Sequence, residues 1–367
     1  MTTTKKIGWG QALLILLCCR AFGLMTFVPF LSAEYNLSVQ MTAVVISSVI
    51  QLLLCIPLLI FSKRRPLCSI TGFAYEKNRF FGFVFIFICF IFFICETIDS
   101  LLSFQIFLGD RFFKTANPYL WLGIFLIIAV YCAVVGIEGI ARSSTAVFVI
   151  LVIMMITMGV TSFRDFDIVN IYVSSPSKTI FSAVIDELAK NNEIVALIFL
   201  SKFIPEKLNR TVNGLIIGKV ILTLTVLLLI QGVLGDFAML TDYPFLAVGA
   251  YAGVNFLQRA DAIYLVVWTM TAVLKTALFI CICSGLLEEI LPKLRGKAAI
   301  TAIIIFLVSI PFCKEGTTIA AVYGNNVIVI LQIFILFLVP FFVTAFGRVK
   351  NEKNITADID NNNLQQL

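Results

Sequence analysis

Two carboxylates, Glu96 and Asp99, stand three residues apart in an otherwise apolar stretch of this 367-residue chain. On a helix that spacing places both on one face, and Ser100 and Ser103 continue the stripe. Such a face either binds an amino group and takes up protons, or forms a structural pair with a cation from another helix. Arg20 offers that cation. It lies near the middle of Ile7 to Phe30, a stretch long enough to cross a bilayer. An arginine at that depth costs at least about 2.5 kcal/mol and must face protein or a watery cavity. It has two readings: a bidentate contact to a ligand carboxylate, or neutralisation of Glu96 and Asp99. Gly23 and Pro29 follow, and together with the charge they predict a helix whose backbone opens at membrane depth.

A second polar cluster falls at 186–193, where Asp186, Glu187, Lys190, Asn191, Asn192 and Glu193 interrupt an apolar run. Asn191 and Asn192 either hydrogen-bond a ligand or cap a broken helix. Lys190 and Glu193 either serve the site or pair locally. Lys275 lies about a dozen residues from either end of its apolar stretch. It is either a fixed positive charge at a place where a transporter holds a cation, or a lysine reaching for the interface. The candidate ligand-binding set is therefore Arg20, Gly23, Glu96, Asp99, Asn191, Asn192, Glu193 and Lys275.

The elements that must carry these residues are helices in a membrane. Sixty per cent of the chain is hydrophobic and only 13% is charged, against roughly 25% charged in soluble domains. The apolar stretches are longer than the strands of an outer-membrane barrel. There is no histidine, which excludes Ser-His-Asp catalysis, histidine metal sites and histidine proton relays. Ten cysteines occur without a CxxC pair, so zinc and redox roles are not expected. Nor is an enzyme, a cofactor, a metal or nucleic acid. Lys5 and Lys6 precede the first apolar stretch and no small-residue cleavage motif follows it, so it is read as a retained first helix.

Ten spans are expected, at 9–31, 39–61, 80–108, 118–135, 143–161, 180–204, 212–234, 260–287, 298–313 and 326–347. Alternate connecting segments carry 17 Lys and Arg on one side and 6 on the other. The richer set includes both termini, so both are expected in the cytoplasm. Residues 1–348 form one polytopic domain and 349–367 a short disordered tail rich in Asn, Asp and Gln. Spans one and six look alike: each has a polar interruption, an apolar half and then a proline, Pro29 or Pro205. They hold matching places in two sets of five, and an odd number per set makes the second run inverted. Paired interrupted helices in an inverted repeat point to a transporter's binding site.

Gly136-Ile-Glu138-Gly139 with Arg142 reads as a tight connector between helices, with Glu138 and Arg142 spaced to pair. In its longer form, YCAVVGIEGIARSS at 131–144, it resembles the spore germination permeases, the B subunits of endospore germinant receptors. Asn255-Phe-Leu-Gln-Arg259-Ala-Asp-Ala, followed by a span with Trp268, is similar to that family too, as are Gln11, Pro29 and the length. Gln258 stands where an acidic residue often precedes the arginine, and Pro176 is followed by Ser177-Lys178 instead of a glycine. The resemblance implies an amino acid–polyamine–organocation transporter fold, LeuT-like, of ten transmembrane helices in a 5+5 inverted repeat with helices 1 and 6 interrupted. It implies a nutrient ligand such as an amino acid, and partners in an A-type membrane subunit and a C-type lipoprotein in the spore inner membrane. A proton-coupled amino acid permease of the same fold is the alternative expectation.

Overall fold

In water-free surroundings the backbone must satisfy its own hydrogen bonds, so long apolar runs fold as helices. The computed structural model describes residues 6–26, 37–111, 117–172, 179–204, 207–251, 261–291, 298–315 and 324–346, and it is helical with no strand among them. Among the described residues, eight helices are long and apolar enough to cross a membrane. This is a multi-pass integral membrane protein.

The chain opens with α1 (Trp9–Thr26), then α2 (Leu37–Leu54) and α3 (Ile56–Arg64), one apolar rod bent at Cys55 just before Pro57. Proline lacks the N–H that would bond back one turn, which accounts for the bend. A short helix α4 (Ile70–Lys77) leads into the long α5 (Arg79–Arg111). The Asn78 side chain accepts from the Phe80 and Phe81 amides, 3.1 and 3.2 Å, and so starts α5. Next come α6 (Pro118–Val135) and α7 (Ile137–Thr161), joined by Gly136 alone. Its φ of +93° is open to glycine, and a side chain at Gly139 would strike Val135. The tight connector expected there is present. Its Glu138–Arg142 pair does not form: both side chains reach water, where an exposed pair gains little.

The expected sixth span is broken. It consists of α8 (Ile180–Lys190), a 3₁₀ turn at Asn192–Ala196, the single turn α9 (Leu197–Leu200) and a second 3₁₀ turn at Ser201–Phe203. Beyond it lie α10 (Leu208–Leu234), α11 (Pro244–Tyr251), α12 (Asp261–Ile290) and α13 (Ala298–Glu315). α14 (Asn325–Ile333) and α15 (Val339–Phe346) are joined by π-helical turns at Phe334–Leu338. The expected ninth span appears as a shorter apolar helix, Ala299–Phe312. Pro29, Pro176–Lys178, Pro205, the Asn255–Arg259 motif and the 349–367 tail lie outside the described residues.

Helices α1 and α12 are the inner pair. In each, 67% of the apolar span is buried, against 28% in α6 and 33% in α7. They run antiparallel: Tyr264 and Trp268 near the start of α12 meet Met25 and Thr26 at the end of α1. Around them pack α5, α7 and α10.

Backbone meets backbone closely at the α4–α5 corner. A Cβ at Gly82 would lie 2.2 Å from the Tyr75 Cα, a backbone atom that cannot swing aside. Gly82→Ala should therefore destabilise the protein by about 1–3 kcal/mol. Gly10→Ala meets nothing within 4 Å and should be silent; thermal unfolding of the purified variants checks the contrast.

Candidate functional site

The site is organised by the end of α8. The last four carbonyls of a helix have no partner inside it, and here they are buried. Each is met. The Glu187 carbonyl accepts from Asn191 Nδ2 at 2.8 Å and the Leu188 carbonyl from the Asn191 amide at 3.2 Å. The Ala189 carbonyl accepts from Gln332 Nε2 of α14 at 3.5 Å, and the Lys190 carbonyl from Arg20 Nη1 of α1 at 3.3 Å. The sequence ends the helix here because Asn191 and Asn192 favour local side-chain bonds over continued helix.

Arg20 does more than cap. Its Nη2 donates to Glu187 Oε1 at 2.8 Å and to Thr223 Oγ1 of α10 at 3.3 Å. Its Nε lies 4.0 Å from Glu193 Oε1. Both side chains of the Arg20–Glu187 pair are buried, at 3% and 0% exposure, so neither charge is screened by water. The expected neutralisation of Glu96 and Asp99 by Arg20 does not occur: its carboxylate partners are Glu187 and Glu193. Glu96 of α5 is instead bonded by Asn192 Nδ2, and Lys275, Asp99 and Glu193 act on it electrostatically. The local Lys190–Glu193 pair is absent, because the helix breaks between them and removes the i, i+3 geometry.

Lys275 does not reach an interface. It is buried on the α12 face that also carries Tyr264, Trp268 and Thr271, and its Nζ lies 5.6 Å from the ring centroids of Phe22 and Phe279. That is within range of a cation–π contact. Gly23 stands one turn after Arg20 in regular helix. α1 is continuous from Trp9 to Thr26, and Pro29, which entered the expected opening with these two residues, lies outside the described residues. Arg20 is supplied with partners by the broken helix, so the backbone around it has no need to unwind. A Cβ at Gly23 would meet nothing within 4 Å, so open space borders α1 there.

The cluster thus joins Arg20, Asn191, Asn192, Glu193 and Glu96 directly, with Asp99 and Lys275 linked through charge. Several buried polar atoms in it have no hydrogen-bond partner: Asn191 Oδ1, Asn192 Oδ1, Glu193 Oε1, Glu187 Oε2 and Arg20 Nε. Residues the sequence reading left out are Glu187, Thr223, Lys219, Gln51 and Gln332. Lys219 and Thr223 are four apart on one face of α10, and Lys219 bonds Gln51 of α2. Glu187 stood within the 186–193 cluster, and each of the other four is a lone polar residue in an apolar run; that was the available signal.

Bonds flank the cluster at both ends of the α1–α12 pair. At the end where α1 finishes, Tyr264 Oη donates to the Met25 carbonyl at 2.6 Å and Trp268 Nε1 to Thr26 Oγ1 at 2.7 Å. Phe22, Phe104 and Phe107 surround the Trp268 ring with centroids 5.8, 5.1 and 4.3 Å away. Outside them Tyr243 donates to Asp110 at 3.2 Å; burial, and then the Asp110 carboxylate, raise its phenol above the ordinary value. At the other end Glu289 accepts from Lys202 at 3.3 Å and from Ser69 at 2.8 Å, while the Ile7 amide donates to the Phe203 carbonyl at 3.0 Å.

A broken helix packed against a buried pair of antiparallel helices, with charge gathered at the break, is the architecture of a membrane transporter. The solved structure of Mhp1, a nucleobase-cation-symport-1 family transporter closed on bromovinylhydantoin, is similar: TM-score 0.61, 13% identity, covering 94% of this chain and 80% of that one. MhsT in complex with L-phenylalanine is similar as well, with TM-score 0.62 and 13% identity over 92% of this chain and 89% of that one. At such identity the likeness concerns the fold. No curated protein sequence matches the chain. The sequence profile of the spore germination proteins matches residues 12–319, and the chain belongs to that family of transporter-like membrane proteins.

Asn191 is the cap most open to test. Asn191→Leu leaves the Glu187 carbonyl and one Glu187 hydrogen bond unmet, which should cost about 1–3 kcal/mol of apparent stability. Asn191→Asp sets a second carboxylate against Glu187 and should cost more. Thermal unfolding in detergent checks the order.

Proposed function

We propose that this chain is the nutrient-sensing membrane subunit of a germinant receptor. It binds a small molecule, an amino acid first among the candidates, at the helix break and helps to trigger spore germination. The A-type membrane subunit and the C-type lipoprotein are its proposed partners. The spore inner membrane is its proposed place, with both termini in the cytoplasm.

The observation that carries this reading is the set of unpartnered buried atoms at the break. Asn191 Oδ1 and Asn192 Oδ1 are acceptors held out of water with nothing donating to them, and Glu193 Oε1 has only Arg20 Nε, at 4.0 Å. A buried acceptor left unmet costs about 1–3 kcal/mol. A ligand bearing an ammonium group meets such a set, and Glu96 and Lys275 stand close enough to sort ligands by charge. The open space beside Gly23 gives the rest of the ligand somewhere to lie. The MhsT structure was solved with an amino acid bound, which supports placing an amino acid in a fold of this kind.

The second reading is a proton-coupled amino acid permease. It is favoured by Glu96, a buried carboxylate bonded to the break through Asn192. The two readings separate in one pair of measurements. Loss of nutrient-triggered germination on deletion, with labelled amino acid uptake unchanged, supports sensing. Uptake into vesicles that stops when the proton gradient collapses supports transport.

The pocket itself is tested with the purified protein and the twenty amino acids in a thermal-shift screen, since a ligand stabilises what it binds. Glu193→Gln should lower the response to the active amino acid at least about tenfold in concentration, which is a loss of about 1.4 kcal/mol. Gly23→Phe should abolish it by filling the open space. Both variants should accumulate at wild-type levels; wild-type responses from both would sink the pocket.

A further inference from the structure

We infer that the guanidinium of Arg20 is a built-in cation, filling an all-oxygen cation site at the helix break and making the closed state independent of sodium or any other free cation.

The ligand set around it is what a free cation would meet. Arg20 is held by the Lys190 carbonyl at the C-terminus of α8, the Glu187 carboxylate and the Thr223 hydroxyl, with Glu193 at 4.0 Å. The C-terminal end of a helix is the negative end of its dipole. Half-helix C-termini and freed carbonyls are where transporters of interrupted-helix design coordinate sodium or protons. Here the site draws on two elements, helix six (the broken span from Ile180 to Phe203) and α10, and the group inside it is tethered to a third, α1. The planar guanidinium directs its donors at the carbonyl, carboxylate and hydroxyl together.

Charge balance supports the same conclusion. Two carboxylates face this position, Glu187 and Glu193. Two fixed cations answer them: Arg20, and Lys219, one turn before Thr223 on α10, which acts electrostatically on both carboxylates. Lys190, which also acts on Glu187, faces Asp186 and Asp99 as well. Between the two carboxylates that face Arg20 and the two cations that answer them, no added ion is needed for neutrality. A tethered cation cannot be released down a gradient, so this site holds helices together and does not couple to ion flow. The inference stands whatever small molecule the protein takes, because its test contains none.

The test is thermal unfolding of the full chain in detergent. The wild-type midpoint should be the same in sodium chloride, potassium chloride and choline chloride at equal ionic strength. Arg20→Ala should lower the midpoint by at least about 5 °C. Millimolar methylguanidinium should restore part of that loss with a saturable dose response, and choline chloride at the same strength should not. The double variant Arg20→Ala/Glu187→Gln removes the stranded carboxylate, so it should be more stable than Arg20→Ala alone and indifferent to methylguanidinium. Should Arg20→Ala fail to fold, Arg20→Lys keeps the charge and should fold with the same indifference to sodium. A sodium-dependent rise in the midpoint of wild type or Arg20→Lys overturns the inference. So does an Arg20→Ala protein with no saturable response, or a double variant no better than the single.

Discussion

The rest of the structure depends on ending a helix inside a membrane protein. Four backbone carbonyls lose their partners at such an end, and no water is at hand to replace them. The chain supplies four donors for Glu187 to Lys190, from Asn191, Gln332 and Arg20. Because those donors come from α1, the break itself and α14, satisfying the backbone also fixes how three parts of the bundle sit together. Arg20 is the costliest of the three to bury. A buried pair does little for net stability, but breaking it by removing one partner costs about 3–5 kcal/mol. Its role is to specify an arrangement.

That arrangement has consequences for motion. The aromatic closure rests on α12, through Tyr264 and Trp268 against the end of α1. The opposite closure also rests on α12, through Glu289 against Lys202 and Ser69. Opening either end while the other stays shut means tilting α1 and helix six against α12. Lys202 and Glu289 are partly exposed, at 19% and 15%, so water screens that pair and it yields first. The dry bonds of Tyr264 and Trp268 yield last. The Glu289 end is therefore the softer of the two.

Much of this was legible in the residues. Arg20, Glu96, Asn191, Asn192 and Glu193 stood out because polar groups at membrane depth need partners, and the structure brings them together. The break in span six followed from crowded charges and two asparagines. The partnerships were not legible. Arg20 had Glu96 and Asp99 as visible carboxylates, and nothing local shows that Glu187, 167 residues away, would take it. Gln51, Thr223 and Gln332 were passed over because a single amide or hydroxyl in an apolar run is weak in sequence; its meaning lies in the carbonyl or amine opposite. The opening of the first helix was expected from the charge, Gly23 and Pro29 together. The helix is regular as far as Thr26, because Arg20 finds its partners across the bundle; Pro29 lies outside the described residues.

On the receptor reading, these bonds also bound what a ligand must do. A ligand shifts a conformational equilibrium only by its difference in affinity for the two states. A small nutrient at a dissociation constant of 1 mM contributes about 4.1 kcal/mol in all, and moving a population from 1:99 to 99:1 needs about 5.5. Separating α1 from helix six would add the roughly 3–5 kcal/mol of a broken buried pair. A millimolar nutrient falls short of that shift alone and has nothing left for separating the pair, so the change it drives is smaller than 1:99 to 99:1. The step it triggers therefore leaves Arg20 and Glu187 joined, moving α1 and helix six as one body against α12. The unpartnered acceptors on Asn191, Asn192 and Glu193 belong to that body, so a ligand bound there travels with it. Its leverage comes from what it touches on α5 and α12, where Glu96 and Lys275 wait.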